Sequence, residues 1–140
     1  MARTPVTLMV DGFPPREVAT FRMSFTQATD VEGQVTGLPR GGKITMRLKA
    51  RNDGNNTMMR WMVDKKLALG GRIVFMNTTN DILMKSIEFK DAYCVAYTES
   101  WEDSTSNVTL AHWEEITISC REIINATDHL QFQNTWTLVK

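Results

Sequence analysis

From Lys43 to Ala50 the chain alternates without a break. Ile44, Met46, Leu48 and Ala50 are apolar, and Lys43, Thr45, Arg47 and Lys49 between them are polar. Successive side chains of a strand point to opposite faces, so this segment reads as a strand with an apolar inner row and a basic outer row. The same period of two recurs along most of the sequence. Val6 to Val10 forms a short strand, closed off by Asp11-Gly12 and Pro14-Pro15. Arg16 to about Gln27 alternates again, with Phe21, Met23 and Phe25 on one face and Thr20, Arg22, Ser24 and Thr26 on the other. After a long polar, glycine-rich loop from Ala28 to Gly42 and the Lys43–Ala50 strand, further strands are expected at Arg72–Met76, Leu83–Phe89, Asp91–Glu102, Asn107–Glu122 and roughly Leu130–Leu138. Turns through Asn77–Asp81 and Asp103–Ser106 separate them. Only Asn56–Leu67 departs from the pattern. There Met58, Trp61, Met62 and Lys65 share a helical face, Asn56 or Thr57 stands at the start, and Gly70-Gly71 is expected to end the helix. Many antiparallel strands with one short helix define a mainly β fold, an antiparallel barrel or sandwich. A length of 140 residues fits one domain, residues 1–140, with a real core.

One strand is unusual. Along Phe89–Trp101, Tyr93, Val95 and Tyr97 fall on one face and Ala92, Cys94 and Ala96 on the other, so neither face reads as wet. Antiparallel sheets commonly bury one face and hydrate the other. Burial of both predicts that another copy of the chain covers the outside, with Tyr93, Val95, Tyr97 and Trp101 at a subunit interface. That points to assembly rather than chemistry.

Composition removes several alternatives. Sixteen basic and sixteen acidic residues balance to zero net charge, which gives no bulk field for nucleic acid or anionic lipid. No apolar run approaches the ~20 residues of a membrane span. The N-terminal MARTPVTLMVDGFPP lacks the regions of a secretory signal. The two cysteines, Cys94 and Cys120, are therefore expected to be reduced in the cytoplasm, although a hairpin register centred on Asn107 permits a bridge between them.

Motifs that suggest chemistry are incomplete. Gly37-Leu38-Pro39-Arg40-Gly41-Gly42-Lys43 matches the opening of a phosphate loop, but Ile44 replaces the hydroxyl residue and a strand follows instead of a helix. Asp53, Asn55 and Thr57 have calcium-ligand spacing without the required glycine or final glutamate. His112 and Glu114 share a strand face, yet no further residue completes a metal or acid–base set. No catalytic, cofactor or metal residue is assigned. Trp61, Phe75 and Tyr93 are the residues that a ligand-binding barrel, the alternative reading, would place around its cavity.

Asp30-x-x-Gly33, Arg40-Gly41-Gly42 before an alternating strand, Trp61-Met62, Gly70-Gly71-x-Ile73-Val74-Phe75, Phe89-Lys90-Asp91-Ala92-Tyr93-x-Val95-x-Tyr97-x-Glu99 and Ile116-Thr117-Ile118-Ser119 follow one another along the chain. In their order and spacing the chain resembles the tube protein of type VI secretion systems, the Hcp or TssD family, especially its Bacteroidetes form. The likeness runs from about Glu17 to Ile124. The chain departs from the family pattern in Pro14-Pro15 and in its continuation through Thr127 to Lys140. The resemblance implies a β-barrel with a flanking helix and no enzymatic activity, closed into a homo-hexameric ring. Rings would stack into the inner tube of a contractile apparatus, with sheath, spike and baseplate proteins as partners and effectors in the lumen. The protein would be cytoplasmic when assembled and secreted on firing. By position, the loop holding Asp30, Gly33, Arg40, Gly41 and Gly42 would reach the adjoining ring.

Overall fold

The computed structural model describes residues 5–37, 40–49, 56–64, 66–77, 82–101, 112–127 and 129–134. Among them run β1 (Val6–Val10), β2 (Arg16–Thr26), β3 (Arg40–Lys49), α1 (Thr57–Val63), β4 (Leu69–Asn77), β5 (Ile82–Trp101), β6 (His112–Asn125) and β7 (Leu130–Gln133). The sheet order is β3-β2-β1-β4-β5-β6-β7, all neighbours are antiparallel, and β3 also pairs with β6. That second pairing, Lys43↔Ser119 through Lys49↔Trp113, closes β1 to β6 on themselves as a barrel. β7 continues along the same edge of β6, opposite Glu122–Asn125.

The alternation of β3 holds in three dimensions. Ile44, Met46 and Leu48 are fully buried, and they meet Ile116, Ile118, Ile73, Ile87 and Phe89 in one core. Each such side chain contributes about 1.5–3 kcal/mol by leaving water. Met58 and Trp61 of α1 join this core, and Trp61 Nε1 donates to the carbonyls of Leu67 (3.1 Å) and Ala92 (3.2 Å). The helix is thereby pinned to β5 through an indole whose N–H is satisfied.

Several boundaries differ from the sequence reading, each for a local reason. Gly70-Gly71 does not end the helix, which stops at Val63 with Asp64 already extended, and Asn56 makes no capping bond through its side chain. These glycines lie in β4 instead, where a Cβ on Gly71 would overlap the carbonyl oxygen of Met9 across the β1–β4 ladder. Arg40, Gly41 and Gly42 belong to β3 rather than to the preceding loop. They form a bulge: Ser24 faces Lys43 but Thr26 faces Arg40, and Gly42 takes φ 89°. Leu83–Phe89 and Asp91–Trp101 are one strand, β5, not two. Ala50, Asn52–Asn55, Lys65, Asp81, the Asp103–Ser106 turn, residues 107–111 and Thr135–Leu138 lie outside the described residues.

β5 also explains its own pattern. Its inward side is carried by Ile87 and Phe89, then by Ala92 and Cys94, and then by Tyr97. The phase changes first around Asp91, whose φ is 51°, and again at Val95, an extra residue between the pairs Cys94↔Ile118 and Ala96↔Thr117. The strand therefore reads as apolar on both faces because its phase slips twice. Tyr93, Val95 and Tyr97 do not share a face. The same register puts Cys94 opposite Ile118 and Cys120 opposite Ala92, and both thiols are free and buried.

Candidate assembly surfaces

β2, β3, β6 and β5 lie side by side, and the outward faces of their ladders form a polar wall. Its rows are Ser24, Lys43, Ser119 and Tyr93; then Arg22, Thr45, Thr117 and Ala96; then Thr20, Arg47, Glu115 and Thr98. Thr45 and Thr117 hydroxyls bond at 3.0 Å in the middle of it. Three cations on or beside the wall are neutralised locally: Arg47 by Glu115 (3.7 Å), Lys49 by Glu17 (2.8 Å) and Arg121 by Asp91 (2.7 Å). Arg47 also lies over the Trp113 ring at 4.1 Å.

Both edges of this wall are open among the described residues. β1 reaches β2 only as far as Val18, which leaves the outer edge of Thr20–Thr26 unpaired. β4 reaches β5 only as far as Ala92, so among the described residues the outer edge of Cys94–Trp101 has no strand beside it. Successive antiparallel pairings run β2 and β5 in opposite directions. The two free edges thus have the polarity required to pair with each other between copies.

Each expected interface residue has its own environment. Tyr93 lies on the polar wall, Val95 is the bulge residue at 44% exposure, and Trp101 ends the free edge at 66%. Tyr97 turns inward. Its hydroxyl donates to Glu114 Oε2 at 2.6 Å and lies 3.2 Å from Glu99 Oε1. Glu114 in turn binds the buried Arg16 at 2.5 Å, Arg16 donates to the Lys49 carbonyl at 2.9 Å, and His112 Nε2 meets Glu99 Oε2 at 2.7 Å. Burial and the adjacent Glu114 push the Tyr97 phenol well up, so it stays a donor. The hydrogen bond with His112 holds the Glu99 carboxyl below its ordinary value. His112 and Glu114 are therefore consumed in a structural network at one barrel end, and among the described residues no three acidic, His or Cys groups could hold a metal ion.

The ligand-cavity triad does not form. Trp61 is buried and packs edge-on against Phe13, Phe75 packs edge-on against Phe21, and Tyr93 points to the outer wall. Instead, an apolar mouth of about 290 Å³ opens between Met23, Phe25, Ile87, Ile123, Leu130 and Phe132. Phe25 and Leu130 at this mouth are exposed, as are Ile82, Leu83 and Met84 at the start of β5.

The loop holding Asp30 and Gly33 is organised by its own bonds. Asp30 Oδ1 accepts from the amides of Glu32 and Gln34, and Thr29 bridges Val35. Gly33 takes φ 84°, and Val31 stands fully exposed at the tip. Arg16–Glu114, the Val95 bulge and the free edges went unread in the sequence. The Gly41-Gly42 pair was the one visible signal of a bulge.

The sequence matches the family model described as hemolysin coregulated protein Hcp (TssD) over residues 4–137. No curated protein matches it. The fold is similar to Hcp1 from Flavobacterium johnsoniae, with a TM-score of 0.81 at 25% identity, covering 93% of this chain and 99% of that one. A variant of Hcp1 from the E. coli EAEC 042 pathovar shares the fold at TM-score 0.71 and 12% identity, covering 96% of this chain and all of that one. So does a chain of the sheath–tube complex of an extracellular contractile injection system, PVC, at TM-score 0.52 and 18% identity, covering 94% and 89%. No described helix is long and apolar enough to cross a membrane.

Proposed function

The chain belongs to the Hcp (TssD) family, and from that premise we propose that six copies close into a ring by pairing the free β5 edge of one copy with the free β2 edge of the next. It is a structural tube subunit and not an enzyme. The observation that carries the ring geometry is the pair of open, oppositely running edges on one four-stranded wall. Such a contact is head-to-tail and closes by rotation. It would join the walls of neighbouring copies into one continuous barrel whose polar face lines the lumen, a surface suited to passing varied cargo.

On this reading Tyr93, Val95 and Trp101 take part in the subunit contact through the β5 edge, and Tyr97 supports that edge from inside. Obligate interfaces typically bury ~2,000 Å² or more of mainly apolar surface, and the exposed Ile82, Leu83, Met84, Phe25 and Leu130 supply apolar area beyond the strand edges. The whole chain acts as a single domain. Rings stack through the Asp30–Gly33 loop, whose internal bonds present Val31 outward, with Arg40, Gly41 and Gly42 holding its base in β3. Sheath, spike and baseplate proteins surround or cap the tube, and the subunit assembles in the cytoplasm and leaves with its effectors on firing. The likeness to a chain of a sheath–tube complex supports the sheath contact.

Native mass by light scattering, with hydrogen exchange on the same sample, tests the ring. Six-copy particles should protect amides in both Thr20–Thr26 and Tyr93–Trp101. A particle in which those amides exchange freely would refute edge pairing, and a monomer at every concentration would refute self-assembly.

A further inference from the structure

On the polar wall, Arg22 and Lys43 are among the cations left over once the local ion pairs are made. Arg22 and Lys43 are both exposed, and neither has a hydrogen-bond or ion-pair partner among the described residues. They are neighbours: Arg22 faces Thr45 and Lys43 faces Ser24, so the two side chains stand diagonally on adjacent strands of the same face. Their cross-strand surroundings are hydroxyls, namely Ser24, Thr45, Thr117 and Ser119. The chain as a whole carries no net charge, so this unbalanced positive spot is local.

We propose that Arg22 and Lys43, repeated around the ring, form a cationic belt that holds cargo proteins of acidic surface in the lumen. The inference rests on the reading that this wall faces the lumen. Charges of one sign around a narrow, protein-walled channel add their fields, which makes a belt far more effective than the same pair on an open surface. Exposed cations flanked by hydroxyls bind carboxylates weakly and individually, so cargo is retained by many contacts and still released. The pattern does not suit nucleic acid. Single-stranded chains are held by aromatic stacking beside the cations, whereas Trp113 is already covered by Arg47 and the residues directly across from Arg22 and Lys43 within one copy are Ser24, Thr45 and Ser119.

The test uses the assembled protein and a short fluorescein-labelled poly-L-glutamate, followed by anisotropy at low and high salt. The double variant Arg22→Gln with Lys43→Gln should form the same rings and bind the probe at least about tenfold more weakly, ~1.4 kcal/mol. Arg72→Gln, the loss of one positive charge at an exposed site of β4 off the wall, should leave binding intact. Binding should also fall with salt. Rings of the double variant that hold poly-L-glutamate as tightly as the unaltered protein would overturn the belt while leaving the ring standing. Equal loss in Arg72→Gln, or tighter binding of a labelled single-stranded oligonucleotide, would overturn it as well. Absence of rings in the unaltered protein, read from native mass on the same sample, would instead remove the lumen on which the belt depends.

Discussion

Replacing Arg16 alone should be among the most damaging single changes in this protein. Its side chain is 1% exposed and its partner Glu114 is 8% exposed, at 2.5 Å. A charge left buried without its partner destabilises by about 3–5 kcal/mol. Arg16→Met leaves Glu114 with only the Tyr97 hydroxyl, and Glu114→Leu leaves the guanidinium with the Lys49 carbonyl. Each single variant should therefore lose about 3–5 kcal/mol, a fall in Tm of roughly 10–15 °C at ~3 °C per kcal/mol. The double variant removes both charges at once. Tyr97 keeps Glu99 within 3.2 Å, so no buried donor is orphaned, and the double variant should lie within ~1–2 kcal/mol of the unaltered protein. Urea and thermal unfolding of the four proteins, followed by circular dichroism at one fixed concentration, give the coupling energy directly. Single variants costing less than ~1 kcal/mol, or a double variant costing the sum of the singles, would refute the ion pair as a buried, mutually dependent unit.

Four further outcomes are expected from the same structure. Gly42→Ala forces a side chain into φ 89°, with its Cβ 2.7 Å from Asn134 Nδ2 and 2.8 Å from the Cys120 carbonyl; it should cost about 2–4 kcal/mol in urea unfolding through strain plus a lost hydrogen bond. Gly33→Ala, where nothing lies within 4 Å, should cost only about 1–2 kcal/mol. Burial pushes the Cys94 thiol up to about 11 and Cys120 up to about 12, so neither should react with a thiol reagent at pH 8 until the protein is unfolded, and prompt native labelling would contradict their burial. The Glu99 carboxyl is held below its ordinary 4.5 chiefly by the hydrogen bond with His112. A depressed carboxylate stabilises the fold above its unfolded pKa and ceases to do so as pH falls through the folded one, so Glu99→Gln should flatten the loss of stability below about pH 4.

Local pattern was enough for a large part of the fold. The alternation of Lys43–Lys49 named the buried and exposed rows of β3 because side-chain direction in a strand depends only on parity. The change of period at Met58 and Trp61 named the helix and its buried face for the same kind of reason. The family was legible in the order of short motifs, and with it the absence of catalysis. What parity could not reveal was where parity breaks. The slips at Asp91 and Val95 leave β5 apolar on both apparent faces, and only the pairing with β6 shows which residues are inside.

The candidate assembly surface divides along the same line. The sequence by itself supplied the residues of Tyr93–Trp101 and the polar outer rows, since these are properties of a strand read one residue at a time. Tertiary structure alone decided that β1 and β4 stop short, that β3 closes onto β6, and that Arg16 meets Glu114 across a separation of 98 residues. Strand pairing and buried charge pairing are contacts between segments distant in the chain. Their energies depend on register and geometry that no local pattern encodes.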